Sequence, residues 1–194
     1  MIRKITTLFF IIAATLTSRG QERAHWAVPD FFVIQHAGSI GFFSAGVGYN
    51  VFESKARFST HFGSVPFNRG GILNVVSAKL FFKPTTLTVW NRVKFNPVDV
   101  GVIGSFHYGD DFETRWPEGV HPKGYYWWHP ALRVHIGMES SLTYELKKGH
   151  AFEAVTGYIE FNTNELYLVS YFQNLRTLTP WDIIKIGAGA RVQF

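Results

Sequence analysis

The sequence has no cysteine, only 2 methionines and 17% charged residues. Each shortage excludes something. Without cysteine there is no disulfide framework and no thiol chemistry, so an exported chain of this composition must be stable through its fold alone. The formal charge is +5, but Arg3, Lys4 and Arg19 lie in the first 20 residues, and the remainder is near +2. That balance, with no arginine-rich stripe, points away from a nucleic-acid partner. Long apolar runs are also scarce. The segment from Leu8 to Leu16 is too short to cross a bilayer as a helix, which needs about 20 residues, and no second run of helix-spanning length follows.

What is present at the front of the chain is a leader pattern. Arg3 and Lys4 precede the apolar run, and Ser18 and Gly20 stand three and one positions before Gln21. This small-x-small pattern marks residues 1–20 as a secretory signal peptide, to be set aside from fold reasoning; the alternative is a buried first helix or strand. Residues 21–194 are then one domain. Aromatics make up 17% of the chain, with 19 Phe, 8 Tyr and 6 Trp. An exported, cysteine-free, aromatic-rich chain without a spanning helix fits an all-β, antiparallel transmembrane barrel, in which apolar residues occupy every second position and never form a long run.

The alternation is legible. In 183–194, Ile184, Ile186, Ala188, Ala190, Val192 and Phe194 are apolar, while Lys185, Gly187, Gly189, Arg191 and Gln193 are small or polar. Strict alternation predicts a strand with one apolar and one polar face. In 132–146, Leu132, Val134, Ile136, Met138, Leu142, Tyr144 and Leu146 face one way. Arg133, His135, Gly137, Glu139, Ser141, Thr143 and Glu145 face the other. Further strands are expected at 31–36, 41–52, 56–65, 72–82, 98–108 and 151–160. In the last of these, Phe152, Ala154 and Tyr158 share a side. The total is eight, an even number, as in single-chain bacterial barrels.

The connections agree with that count. With the N-terminus inside, 53–56 and 147–150 are short inner turns, and the two longest connections, 109–131 and 161–181, fall outside. The segment 83–97 is long for an inner turn, and 87–95 is a candidate strand extension. The hairpin at 37–40 competes with a reading of Gly38 and Gly41 as kinks in one long strand. Residues 163–174 are apolar on every side, so periodicity does not separate strand from helix. Thr163 or Asn164 could cap a helix starting near Glu165. As a strand, this segment would raise the count toward ten.

Several stretches carry a resemblance. AGSIGFFSAGVGY (37–49), HFGSVPFNRGG (61–71) and TNELYLVSYFQN (163–174) resemble segments of small, uncharacterised outer-membrane β-barrel proteins of Gram-negative bacteria, over most of the chain after residue 20. The ending is also similar to the final strand of such barrels, with Gly189, Val192 and Phe194 matching the pattern that the barrel assembly machinery recognises and Gly187 standing where a polar residue is usual. The resemblance implies a location and a fold, and it brings no activity with it. Outer-membrane lipid, lipopolysaccharide and the assembly machinery are the partners it implies. The outer loops would meet a protein or glycan. Tyr125, Tyr126, Trp127 and Trp128 suit an aromatic girdle at the outer rim.

Candidate chemistry is sparse. Small barrels of this size include lipid A-modifying hydrolases and acyltransferases that use His with Ser and an acid. Here Ser59 and His61 share a strand face, and His107 precedes Asp110 and Asp111. A serine nucleophile needs a base in reach and a third group to orient it. The His-x-Ser-Asn signature of the deacylases is missing, so the preferred reading is a hydrogen-bond network inside a barrel. Asp110, Asp111, Glu113, Glu118, His121 and His129 have metal-ligand chemistry but no compact spacing, so neither metal nor cofactor is expected. The glycines at 38, 41, 46 and 48 lack the setting of a phosphate loop. Eight strands leave room only for side chains, and Arg57, His61, Lys79, Asp99, His107, Arg133, His135, Glu139, Glu145, Lys185 and Arg191 are expected to fill that interior as a closed charge network. A secreted barrel of lipocalin type is the remaining alternative, and the polar faces oppose it.

Overall fold

The computed structural model describes residues 28–66, 73–108, 131–147 and 149–194. The leader at 1–20, the aromatic cluster at 125–128 and the acidic and histidine residues at 110–129 lie outside the described residues. Nine strands follow in order: β1 (Phe31–Ala37), β2 (Phe43–Val51), β3 (Ala56–Val65), β4 (Leu73–Phe82), β5 (Leu87–Trp90), β6 (Val93–Tyr108), β7 (Leu132–Glu145), β8 (Ala154–Asn164) and β9 (Lys185–Gln193). Two helices, α1 (Glu165–Gln173) and α2 (Pro180–Ile183), separate the last two strands.

Eight of these strands close an antiparallel barrel. Neighbours pair in the order β1-β2-β3-β4-β6-β7-β8-β9, and β9 returns to β1 with Ile34 opposite Ala190. Closure leaves the ring no free edge, so every one of its eight strands finds a backbone partner on both sides. The strand β5 lies outside the ring. It pairs only with the first residues of β6, and all four of its residues are exposed. The expected extension at 87–95 is therefore a hairpin projecting from one end of the barrel. That end, where β1 begins and β9 finishes, is called the terminal end below, and the opposite one the loop end.

The chain turns at 37–42 as a true hairpin, not as a kinked single strand. Ala37, Gly38 and Gly41 have φ of 60°, 80° and 117°, a left-handed region where glycine carries no steric penalty. The segment at 163–174 divides between both readings. Strand β8 runs on to Asn164, whose side chain then accepts a hydrogen bond from the Tyr167 backbone N–H at 2.9 Å and caps α1. The final strand starts at Lys185, two residues after the alternation begins at Ile183, because 180–183 form a helical turn. Pro180 opens that turn. Thr179 donates from its backbone N–H and its hydroxyl to Asp182, at 2.7 and 2.8 Å. The Asp182 carboxylate thus accepts both bonds at the start of the turn, and those donations hold it below its ordinary range. Among the described residues, no helix is long and apolar enough to cross a membrane.

Side chains follow the period of two. Apolar residues stand exposed on the outer face of each barrel strand, among them Ile34, Val47, Phe62, Val76, Val102, Ile136, Ile159 and Ile186, one from each, with Ile136 at 54% and Ile186 at 50% exposure. The inner face is mostly polar, with Val33, Val75 and Ile103 and three large aromatics inserted. Phe31, Phe81 and Tyr158 point inward and are buried. Ala154 and Tyr158 do share a side, and it is the inner one. Glycines make the room. A β-carbon at Gly48 would lie 2.3 Å from the Phe31 ring, one at Gly101 2.7 Å from the Phe81 ring, and one at Gly189 2.4 Å from the Tyr158 ring. Gly157 faces outward with nothing within 4 Å of such a carbon.

A substitution pair follows. Gly189→Ala, which must displace Tyr158, is expected to cost about 1–3 kcal/mol, the range for overpacking. Gly157→Ala should stay within about 0.5 kcal/mol. Urea unfolding of both variants in lipid vesicles measures this, and equal costs at the two positions would show that Gly189 is not fitted to the ring.

Candidate functional site

The interior is the densest chemical feature of the described chain. Six charged side chains are buried there: Arg57, Lys79 and Arg191 against Asp99, Glu139 and Glu160. Their sum is zero. An unpaired ion in a low-dielectric interior is very costly, so neutrality is the first condition that such a core must meet.

The residues form two linked clusters. In the first, Arg191 makes a two-pronged contact with Glu139, Nη1 to Oε2 at 2.9 Å and Nη2 to Oε1 at 2.5 Å. Arg57 reaches the same carboxylate, Nη2 to Oε1 at 2.8 Å, and donates through Nη1 to Asp99 Oδ2 at 2.6 Å. Glu139 on β7 thus ties β3 to β9 across the interior. Two planar guanidiniums on one carboxylate is the geometry in which arginine surpasses lysine. In the second cluster, Lys79 Nζ donates to Glu160 Oε2 at 2.6 Å and to Gln35 Oε1 at 2.8 Å. Asn162 Nδ2 donates to Glu160 Oε1 at 3.0 Å. Tyr158 joins the two, with its hydroxyl donating to Gln35 Oε1 at 2.9 Å and its ring 4.4 Å from the Arg191 guanidinium.

One irregularity places Asp99. The pairing of β6 with β7 shifts between Asn96 and Asp99, so that Pro97 and Val98 together oppose a single residue. Proline has no N–H to give the ladder and is tolerated at such a bulge. The bulge resets the alternation, so Asn96 and Asp99, three positions apart, both point inward, and Asn96 Nδ2 donates to Asp99 Oδ1 at 3.2 Å. A bulge that re-aims a side chain is a recurrent device in sheets.

The expected network is therefore divided by the structure. Arg57, Asp99, Glu139 and Arg191 are joined directly. His135 is buried nearby, with Nε2 2.8 Å from Ser105 Oγ. Arg133 and Lys185 sit at the loop-end mouth, where Arg133 lies 3.9 Å from Glu165 and Lys185 stacks 5.0 Å from the Tyr167 ring centre. Glu145 is at the opposite mouth, half-exposed and paired with Lys94. Sequence reasoning missed Glu160, Gln35, Asn96 and Asn162. For Glu160 and Asn162 the signal was the phase of β8, where Thr156, Tyr158, Glu160 and Asn162 fall on one face; an apolar reading of Tyr158 hides it.

The weak catalytic candidates come only partly together. Ser59 Oγ lies 3.0 Å from His61 Nε2, and both are buried in the interior. His61 Nδ1 has no hydrogen-bond partner among the described residues, so no acid orients the ring as a serine hydrolase requires. His107 stands on β6 at the loop end, where its Nδ1 lies 3.3 Å from the Ala131 carbonyl. Ser105 and His135 form a second such pair that sequence reasoning did not single out. Among the described residues, no group of three or more His, Cys, Asp or Glu is placed to hold a metal.

The residues of the expected assembly signal lie on β9 and just beyond it. Gly189 accommodates Tyr158, Val192 pairs opposite Val155 and Phe32, and Phe194 packs 5.7 Å from the Phe152 ring centre while its backbone N–H bonds Asp30. Aromatic side chains also mark both ends of the barrel, with Phe52 stacked on Phe82 and Trp90 exposed at the terminal end, and Phe62 beside Tyr108 and Trp181 exposed at the loop end. No family model, curated protein or solved structure matches the chain.

A direct test of the core is Glu139→Gln. It leaves Arg57 and Arg191 buried beside an uncharged amide, so it is expected to cost about 3–5 kcal/mol, the range for breaking a buried pair. A folding titration of the variant measures the loss. A change below about 1 kcal/mol would mean that Glu139 does not hold the arginines in the folded barrel.

Proposed function

We propose that this protein is an integral outer-membrane β-barrel, exported through a cleaved leader and anchored in lipid by its outer face, with a structural and binding role at the loop end instead of a catalytic one in the interior. The observation that carries the reading is the inversion of polarity: a belt of apolar side chains around all eight barrel strands encloses an ion-paired polar core. Soluble monomers rarely expose a contiguous apolar patch above a few hundred Å². In hydrocarbon the same belt is buried, and barrel closure satisfies every ladder hydrogen bond. Aromatics at both ends agree with interface positions.

Lipid and lipopolysaccharide are then the partners of the outer face. The loop end, with Arg133, Lys185 and the exposed rings of α1 and α2, is the surface offered to a glycan, lipid headgroup or protein. The strand carrying Gly189, Val192 and the adjoining Phe194 is the segment offered to the assembly machinery.

Depth dependence provides the test. Met138 is midway along β7, whereas Val134 is near its loop end. Met138→Arg in lipid vesicles should cost roughly 2–4 kcal/mol and Val134→Arg less, since the penalty falls toward about 0–1 kcal/mol at the interface. Equal tolerance of arginine at both positions, with the protein recovered from cells without detergent, would overturn the membrane reading.

A further inference from the structure

The terminal-end mouth opens into a polar cavity of about 310 Å³, floored by Arg57 and Arg191 and walled by Lys83, Lys94, Asn96 and Thr156. Three of its four cations are already matched: Arg57 with Asp99, Arg191 with Glu139, and Lys94 with Glu145. Lys83 is the exception among the described residues. Its ammonium donates to Asn50 Oδ1 at 3.3 Å, a neutral partner, and no described carboxylate forms an ion pair with it. The half-buried amine is pushed below its ordinary range by burial first and then by the positive charge of Arg57. A cavity whose walls donate hydrogen bonds, and which keeps one unmatched positive charge, is complementary to a small anion.

We infer that this cavity is a binding site for a small oxyanion, a phosphate or carboxylate group, with Lys83 as its charged ligand and the ion-paired Arg57 and Arg191 at its floor. Inward-facing hydroxyl and amide groups, such as Thr156 and Asn96, would complete the anion's hydrogen bonds, as a desolvated oxyanion requires. The site sits at the end opposite the loops, so it is separate from the surface proposed above. It holds whether or not the belt lies in a membrane. A free solute and a lipid headgroup both supply such an oxyanion, and the chemistry at Lys83 is the same for both.

The experiment titrates the full folded barrel, held in an uncharged maltoside detergent, with inorganic phosphate at constant ionic strength set by chloride. Calorimetry or amide chemical shifts would follow it. The wild-type chain should saturate at one site. Lys83→Gln should weaken binding about tenfold or more, as loss of a charge-assisted contact implies. Lys55→Gln removes the same charge at an exposed turn residue and should leave the affinity unchanged. A parallel titration with a short-chain phosphatidic acid separates the sources: saturation by the lipid alone would assign the oxyanion to a headgroup, still through Lys83. Should Lys83→Gln fail to fold, the wild-type thermal midpoint decides, and it should rise with phosphate beyond its value in matched chloride. No saturable response to either anion, or equal weakening by Lys83→Gln and Lys55→Gln, would overturn the site.

Discussion

Glu139 accepts Arg57 and Arg191 on one carboxylate in the middle of the barrel, and much of the remaining interior is arranged around that contact. Eight strands enclose an interior just wide enough for side chains or one small ligand, so charges placed there find a partner or stay unsatisfied. The pairing joins β3, β7 and β9, and Asp99 adds β6. The Lys79–Glu160 cluster adds β4 and β8, and Gln35 adds β1. Only β2 sends no charge or long amide into these clusters; its inner face carries Ser44, Gly46 and Gly48, which yield space to His61 and Phe31. Buried ion pairs are weak evidence of net stability, since desolvation can exceed the Coulombic gain. Their clearer consequence is specificity. A one-residue slip of any strand would turn its charges onto the apolar outer face and strand their partners inside.

The inverted polarity also explains how the aromatics are used. Outward rings need no partners from the fold. Inward rings do, and each is set against a glycine on a neighbouring strand. Phe81 lies under Arg57, at 5.2 Å from ring centre to guanidinium, and Tyr158 under Arg191. An aromatic face toward a cation is attractive in a desolvated setting. These rings therefore fill volume and help to hold the arginines without adding charge.

How much of this was legible in the sequence depends on what carries each feature. The period of two in 132–146 and 183–194 was enough for the faces of Arg133, Glu139 and Arg191, and its recurrence in six further segments gave the eight strands of the closed barrel, because one residue type repeated on one side over many positions. Where a single residue breaks the period, reading failed. Pro97 creates the bulge that sends Asn96 and Asp99 to the same side, and alternation alone places them on opposite sides. Tyr158 is apolar in composition yet faces the core through its hydroxyl, which concealed Glu160 two positions on. The helix at Glu165–Gln173 is apolar on all sides, so only its Asn164 cap signalled it. The separation of the expected charge network into a buried centre and two mouths depended on tertiary placement, which spacing along the chain does not encode.

The absence of cysteine makes the central claim directly measurable. Single cysteines placed in turn at positions 133 to 140 of β7 can carry a spin label in the barrel folded into lipid vesicles, and its collision rates with oxygen, concentrated in hydrocarbon, and with a water-soluble nickel chelate can be compared. A barrel with its apolar belt in lipid requires oxygen access at positions 134, 136 and 138, low access to both agents at 135, 137 and 139, and a period of two between them. High nickel access at 134, 136 and 138 would place that face in water and contradict the account.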